Sequence, residues 1–174
     1  MDRTKVYVII VAVVAIALII TGALMVFNKS PDLLNSEFCV VVTDSMDGEP
    51  TEYEISTIPV NSLIAVHKLH GDDARSIKVG DVIGFRSSLV AGNIYHRVIA
   101  IDEANQKFTT KGDNAYSTET VAFSAAEGKV VNVSHWAGEV VVFVKQNQLF
   151  LIFALIMLVV IAEAFSYLLR IWKE

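Results

Sequence analysis

The sequence predicts a mostly β soluble domain flanked by two transmembrane α-helices. Hydrophobic residues make up 53% of the 174 residues, which is above the range of about 45–50% that globular domains show. The excess lies in the uncharged stretch 6–27 and in the stretch 149–169, whose single charge is Glu163. Between them, short apolar runs alternate with Gly, Asp and Asn, as is typical of β-rich domains.

The first apolar stretch, residues 6–27, is long enough for a membrane-spanning helix, which needs about 20 apolar residues. The charged residues before it would also suit a cleavable secretion signal. The apolar core of such signals spans only about 7–15 residues and ends at a site of small residues. Because this stretch is longer and ends in large apolar side chains at 24–27, we expect a retained anchor.

The second apolar stretch, residues 149–169, has two readings. Its uninterrupted part, 149–162, could also form a helix buried in a protein core. Glu163 could be a functional acid within the membrane. It lies two helical turns before Arg170 on the same helical face, so we favour a transmembrane helix in which Glu163 pairs or reaches toward the interface.

The predicted topology follows from basic residues on the outer side of each apolar stretch, Arg3 and Lys5 at one end and Arg170 and Lys173 at the other. Basic flanks favour the cytoplasmic side of a membrane. We therefore expect a multi-pass protein of the plasma membrane. Residues 1–5 and 170–174 would be cytoplasmic, and the β domain, residues 28–148, would be extracytoplasmic.

The predicted strands of this domain are short apolar runs separated by turn residues. They are Phe38 to Thr43, Ser62 to Val66, Asp81 to Phe85, Ile94 to Ile101, Lys107 to Thr110 and Lys129 to Val133. Turns are predicted at Gly71-Asp72, Gly80-Asp81, Gly92-Asn93 and Gly112-Asp113-Asn114. A length of about 120 residues suffices for one domain with a single core.

Charge and cysteine content argue against several classes of function. The net charge is −5, and Lys and Arg are scattered singly, so the basic surface of a nucleic-acid-binding protein is not expected. The lone Cys39 has no second cysteine for a disulfide or a thiolate metal site. His67 and His70, three residues apart, could bind a metal, but their surroundings favour a solvated loop. We expect no metal and no cofactor.

A candidate nucleophile, Ser45, follows the first predicted strand in the sequence VVTDSM. If the strand continues to Ser45, the side chains of Thr43 and Ser45 share one face. A serine nucleophile needs a base and hydrogen-bond donors for the developing oxyanion, and Thr43 with the Ser45 backbone N–H could supply the donors. His96, fixed within a predicted strand, is the best candidate for the base.

An orienting carboxylate would complete this set by fixing the tautomer of the imidazole. Asp113 and Glu119 both follow His96 within one strand and one turn. Each residue also has an ordinary structural reading. Ser45 would be a turn hydroxyl, His96 a hydrogen-bonded core histidine and Asp113 an Asx-turn residue.

Four stretches in one order nevertheless resemble type I signal peptidases: TDSM, IPVNSLIAV, VGDVIGF, and HRVIAI followed by FTTKGDN. The Ser-Met, His-Arg-Val and Lys-Gly-Asp-Asn elements are similar to the His-type branch of archaea, the endoplasmic reticulum and some Gram-positive bacteria. The commoner bacterial branch has lysine at the position of His96. The resemblance covers roughly residues 38–133 and implies a signal-peptidase-like β fold.

By this resemblance, Ser45 is the nucleophile, His96 the general base, and Thr43 with Ser45 the oxyanion hole. The family implicates an Asp in its Gly-Asp-Asn element, here Asp113, and more strongly another Asp about six residues later. The second position holds Glu119, whose extra methylene moves the carboxylate by more than catalytic positioning usually tolerates.

Two further departures from the family pattern surround the serine. Asp44 stands where the family usually has glycine. Pro50 comes late, as though Gly48-Glu49 were inserted, so we expect a longer turn after Ser45.

The resemblance implies a serine endopeptidase that removes signal peptides from exported preproteins at the outer face of the membrane through an acyl-enzyme. Its partners would be signal-peptide-bearing preproteins and the lipid bilayer. Two alternatives stay open. One is a non-enzymatic membrane-tethered β-domain, such as an assembly or adhesion subunit. The other is a self-processing protease of the repressor type, whose usual base is lysine.

Overall fold

The computed structural model describes residues 35–87 and 92–172, so the predicted anchor at 6–27 lies outside the described residues. The chain divides into two compact units. The first, Ser30–Val140, contains a β-sheet and the start of a helix. The second includes the end of the chain from Val141.

A mostly β, antiparallel domain is confirmed: the described chain forms one seven-stranded sheet in the order β1-β2-β7-β3-β4-β5-β6. Every pairing in it is antiparallel. The strands are β1 (Ser36–Val40), β2 (Leu63–Lys68), β3 (Val82–Arg86), β4 (Asn93–Asp102), β5 (Lys107–Lys111), β6 (Thr118–Ala122) and β7 (Ala126–Ser134). Two 3₁₀ helices, Gly71–Ser76 and Phe123–Ala125, precede β3 and β7.

All six predicted strands are present, but the first ends earlier than predicted. β1 stops at Val40, and Ser45 lies in a turn rather than in an extended strand. The backbone of Val41 still bonds with residues 61 and 62 before the chain turns away. The strand β6, rich in threonine and containing Glu119, was not predicted, because its alternation of apolar residues is weak.

The core lies on both faces of the sheet, and β3 is buried on both sides. Val82 belongs to one apolar cluster with Met46 and Ile64, whereas Ile83 packs in a second cluster around Phe108. Met46, directly after Ser45, is only 2% exposed. The nucleophile candidate is therefore held at the surface by a side chain inserted in the core.

The sheet is strongly coiled, since β1 meets β4 although three strands separate them in the sheet. The thiol of Cys39 in β1 lies 3.4 Å from the hydroxyl of Tyr95 in β4. Strand twist accumulates across a wide sheet and brings distant strands together in this way. The coiling carries the segment after β1 toward the ends of β4 and β5.

Helix α1 (His135–Gln146) follows β7 directly and was not predicted. The N–H of Ala137 donates to the Ser134 hydroxyl at 3.3 Å, which caps the first turn. A side chain at Gly138 would lie 1.8 Å from the carbonyl oxygen of Asn61. The glycine therefore lets the start of α1 pack directly on the chain that leads into β2.

Helix α2 (Gln148–Ile171) coincides with the predicted second apolar stretch. Its residues Gln148–Leu169 are long and apolar enough to cross a membrane, by length and composition. Among the described residues it is the one helix that meets this test.

Candidate active site

Ser45 occupies a tight turn between β1 and the long loop that leads to β2. The N–H of Asp47 donates to the carbonyl of Asp44 at 2.9 Å, which closes the turn. The N–H of Asn114 donates to the Ser45 carbonyl at 2.9 Å and ties the turn to the loop after β5. The side chains of Thr43 and Ser45 do share one side, with their hydroxyl oxygens 3.5 Å apart.

His96 lies in the middle of β4 and is 6% exposed. Its Nδ1 is 2.9 Å from Oε2 of Glu119, so a proton on Nδ1 is donated to the carboxylate. That tautomer leaves the lone pair of Nε2 free to accept a proton. The ring also packs edge-on against Phe85, with ring centroids 6.1 Å apart, so its orientation is fixed from two sides.

Glu119 reaches His96 because strand register places the two side chains on one face of the sheet. In β5–β6 pairing, Thr110 stands opposite Glu119, and in β4–β5 pairing Val98 stands opposite Thr110. His96 is two residues from Val98 and so projects from the same face. Oε2 of Glu119 accepts a second hydrogen bond, from the Thr110 hydroxyl at 3.3 Å.

Gly112 is the point where the nucleophile segment and the histidine meet. A Cβ placed on Gly112 would lie 2.6 Å from the Ser45 carbonyl oxygen and 2.9 Å from Nε2 of His96. The free nitrogen therefore faces the glycine beside the main chain of Ser45. Among the described residues the Ser45 hydroxyl is paired with Thr43 and makes no hydrogen bond to His96.

Asp113 does not contact the imidazole but forms a two-pronged ion pair with Arg97. Nε and Nη2 of Arg97 donate to its two carboxylate oxygens at 2.8 and 2.6 Å. The remaining donors of the guanidinium bind the carbonyls of Ile55, Gly80 and Ser56 at 2.8, 2.8 and 3.0 Å. The pair fastens β4 to the loops on either side of it.

The turn after Ser45 is held by specific contacts. The hydroxyl of Thr57 is 3.2 Å from both the Met46 and the Gly48 carbonyl oxygens. Gly48 also lies against Asp113, where a Cβ would come within 2.8 Å of the Asp113 side chain. Asp44 is exposed, and its backbone carbonyl accepts a hydrogen bond from the Asn114 amide at 3.3 Å.

The structure thus brings Thr43, Ser45, His96 and Glu119 to one place and directs Asp113 to Arg97. Sequence reasoning did not identify Arg97, Thr110 or Gly112 as parts of this site. The period-2 alternation of β4 already separates Arg97 from the face of His96. The contacts of Thr110 and Gly112 depend on strand register, which the sequence does not display.

Two other groups of residues have no place in this site. Within residues 35–87 and 92–172, no group of three or more His, Cys, Asp or Glu side chains is arranged to hold a metal ion. The backbone N–H of His70 instead donates to Asp73 at 2.9 Å at the start of a 3₁₀ helix. Burial raises the pKa of the Cys39 thiol and of the Tyr95 phenol.

Comparison with known proteins adds no identification: no family model matches the chain, and no curated protein matches it.

Proposed function

We propose that the protein is a membrane-bound serine endopeptidase that removes signal peptides from exported preproteins. The observation that carries the proposal is the environment of His96. Its Nδ1 is held by a carboxylate, and its free Nε2 faces Gly112 beside the main chain of Ser45. A histidine with a purely structural role does not require one nitrogen bound to a carboxylate and the other left unpaired beside a half-buried serine.

In the proposed reaction, the Ser45 hydroxyl turns from Thr43 toward His96 and attacks the scissile carbonyl carbon. Nε2 takes the hydroxyl proton as the oxygen–carbon bond forms, and Glu119 stabilises the resulting imidazolium. The imidazolium then gives its proton to the leaving amine as the peptide bond breaks. Water, deprotonated by His96, next attacks the ester carbon; the bond between that carbon and the Ser45 oxygen breaks, the imidazolium returns its proton to this oxygen, and the cleaved leader leaves with a free carboxyl group.

The tetrahedral intermediate requires donors aimed at its oxyanion. The Thr43 hydroxyl, 3.5 Å from the Ser45 oxygen, and the backbone N–H of Ser45 are the groups proposed for this role. Thr43 is exposed, so an incoming substrate can reach it.

The substrate class and the membrane location rest on the resemblance to signal peptidases and on helix α2. A helix able to cross a bilayer supports an anchored enzyme. Preproteins held at the membrane by their apolar leaders would then be presented outside the cytoplasm. By the same resemblance, small residues at the first and third positions before the cleaved bond are expected in the substrate.

The test is cleavage of a preprotein by the full chain in detergent or liposomes. Ser45→Ala should abolish processing with the melting temperature retained, whereas the control Ser117→Ala, which removes an exposed hydroxyl of a neighbouring loop, should process at the parental rate. Persistent cleavage by Ser45→Ala would show that the nucleophile is wrong. A folded parent that cleaves no preprotein would favour the non-enzymatic β-domain.

A further inference from the structure

Thr110 occupies an unusual position for a hydroxyl, since it lies in β5 and is 0% exposed. Valine has the same shape and suits a buried strand position at least as well. A buried hydroxyl is costly unless it is hydrogen-bonded. The partner it has is a side chain, Oε2 of Glu119 at 3.3 Å.

That oxygen is the one that lies 2.9 Å from Nδ1 of His96. A carboxylate oxygen has two lone pairs and can accept from both groups at once. Thr110 therefore does not compete with His96 for the carboxylate. Its hydroxyl and the imidazole N–H together fix where that oxygen sits.

The Glu119 carboxylate needs a second hydrogen-bond partner to fix its position more than the carboxylate of a shorter acid would. Its side chain is 33% exposed and has one more rotatable bond than aspartate. It projects from β6, which ends the sheet and pairs on one side only among the described strands. Thr110, by contrast, lies in β5 between two paired neighbours and is fully buried.

We propose that Thr110 is a positioning residue that holds the Glu119 carboxylate on Nδ1 of His96 and so keeps Nε2 directed toward Ser45. The inference deepens the proposed function and rests on it. It also explains how Glu119 can orient His96 although its side chain is longer and more flexible than that of aspartate. Thr110 itself does not touch the reacting atoms.

The first test compares three variants of the full chain in preprotein cleavage. Thr110→Val should lower kcat about tenfold with KM unchanged, in line with loss of one hydrogen bond to a charged group. Thr110→Ser, which keeps the hydroxyl, should recover most of the rate. The matched control is Thr109→Val, on the opposite face of β5 and opposite Thr120 rather than Glu119, and it should leave kcat unchanged.

A double-mutant cycle separates positioning from general packing. In a Glu119→Gln background, Thr110→Val should cost clearly less than its tenfold effect in the parent. A full tenfold loss in that background would overturn the inference. Parental kcat for Thr110→Val, or equal losses for Thr110→Ser and Thr110→Val, would also overturn it.

A readout that does not depend on cleavage is the NMR signal of the His96 Nδ1–H proton. Thr110→Val should broaden or shift this signal, whereas Thr110→Ser and Thr109→Val should leave it in place. An unchanged signal in Thr110→Val refutes the positioning role. If the parent fails to cleave preproteins, the proposed function fails, and this spectrum still decides the role of Thr110.

Discussion

His96 and Arg97 are neighbours in β4, lie on opposite faces of the sheet, and each holds a carboxylate from the chain that follows β5. Both are nearly inaccessible, at 6% and 3% exposure. Arg97 uses all five of its N–H donors, on Asp113 and on three backbone carbonyls. His96 uses one ring nitrogen, and within the part of the chain that the structure describes its other nitrogen makes no hydrogen bond.

This difference distinguishes an ion pair that can only hold structure from one whose geometry would allow proton transfer, as the proposed function requires. A saturated guanidinium cannot change partners without breaking several bonds, and it cannot lose its proton in proteins. An imidazole with one nitrogen anchored and one free can accept and release a proton in a fixed orientation. The two acids next to these residues should therefore fail in different ways when they are altered.

The largest expected effect is on His96. In His96→Asn, preprotein cleavage should fall by about 10⁴-fold or more, because the base is lost. The melting temperature should change little, since the shorter amide can still donate toward Glu119. The measurement is initial cleavage rate beside thermal unfolding of the same sample. A rate above about one hundredth of the parental rate would argue against His96 as the base.

The next effect falls on stability. Arg97→Met should lower the free energy of unfolding by about 3–5 kcal/mol, because Asp113 is left as a buried charge without a partner. Denaturant unfolding in detergent, followed by circular dichroism, measures it. Adding Asp113→Leu to Arg97→Met should restore part of the loss. If the double variant is as unstable as the single one, the buried charge is not the cause.

The two acids give a direct contrast. Glu119→Gln should reduce cleavage by about 10²- to 10³-fold and leave the melting temperature near the parental value, because it weakens only the support of His96. Asp113→Asn should instead reduce stability by about 1–3 kcal/mol. Cleavage rates and melting curves of both variants decide between the roles. Parental cleavage rates in both would leave a Ser-His dyad without an acid.

A smaller effect is expected at Gly112, where the two regions approach each other. Gly112→Ala would place a methyl group 2.6 Å from the Ser45 carbonyl oxygen, which is backbone and cannot easily move. Crowding of this kind typically costs about 1–3 kcal/mol of stability. The cleavage rate should fall as well, because the same methyl group meets His96. Normal rate and stability together would show that the turn can move away.

The smallest effect concerns pH and the Arg97 side of β4, where Tyr95 meets Cys39. Burial raises the pKa of both groups above their ordinary values of 9.0 for the thiol and 10.0 for the phenol. Above pH 9 the unfolded chain therefore loses protons that the folded chain keeps, so stability falls as pH rises. Tyr95→Phe should make this decline shallower in melting curves between pH 8 and 11. An unchanged slope would contradict it.

Much of the fold could be predicted from the sequence, because apolar runs and turn residues are local signals. Gly80 and Gly92, predicted turn positions, indeed have positive φ of 99° and 125°. The strand β6 was not predicted because one of its two inward-facing residues, Glu119, is charged, and only Val121 is apolar. Helix α1 escaped because it follows β7 with no intervening turn residues.

The candidate site was only partly predictable. Ser45, Thr43 and His96 could be proposed from residue type and order, and the structure places them together. The choice between Asp113 and Glu119 could not be made from the sequence, because it depends on which face of β4 each acid meets. Strand register and the coiling of the sheet determine that face, and both arise from contacts between distant residues.

The position of β7 in the sheet has a consequence for how the molecule is built during synthesis. The first half of the sheet consists of β1 and β2, with Ser45 in the segment between them. The second half consists of β3 to β6 and contains His96 and Glu119. Among the described strands, backbone pairing within the sheet connects these two halves through β7, which lies between β2 and β3 and comes last of them in the chain. Loop contacts such as that of Asn114 with Ser45 then add to this connection. A nascent chain that has not yet reached residue 126 thus has both halves of the proposed machinery without the strand that pairs them in the sheet, so we expect hydrolytic competence only once translation of the domain is nearly complete.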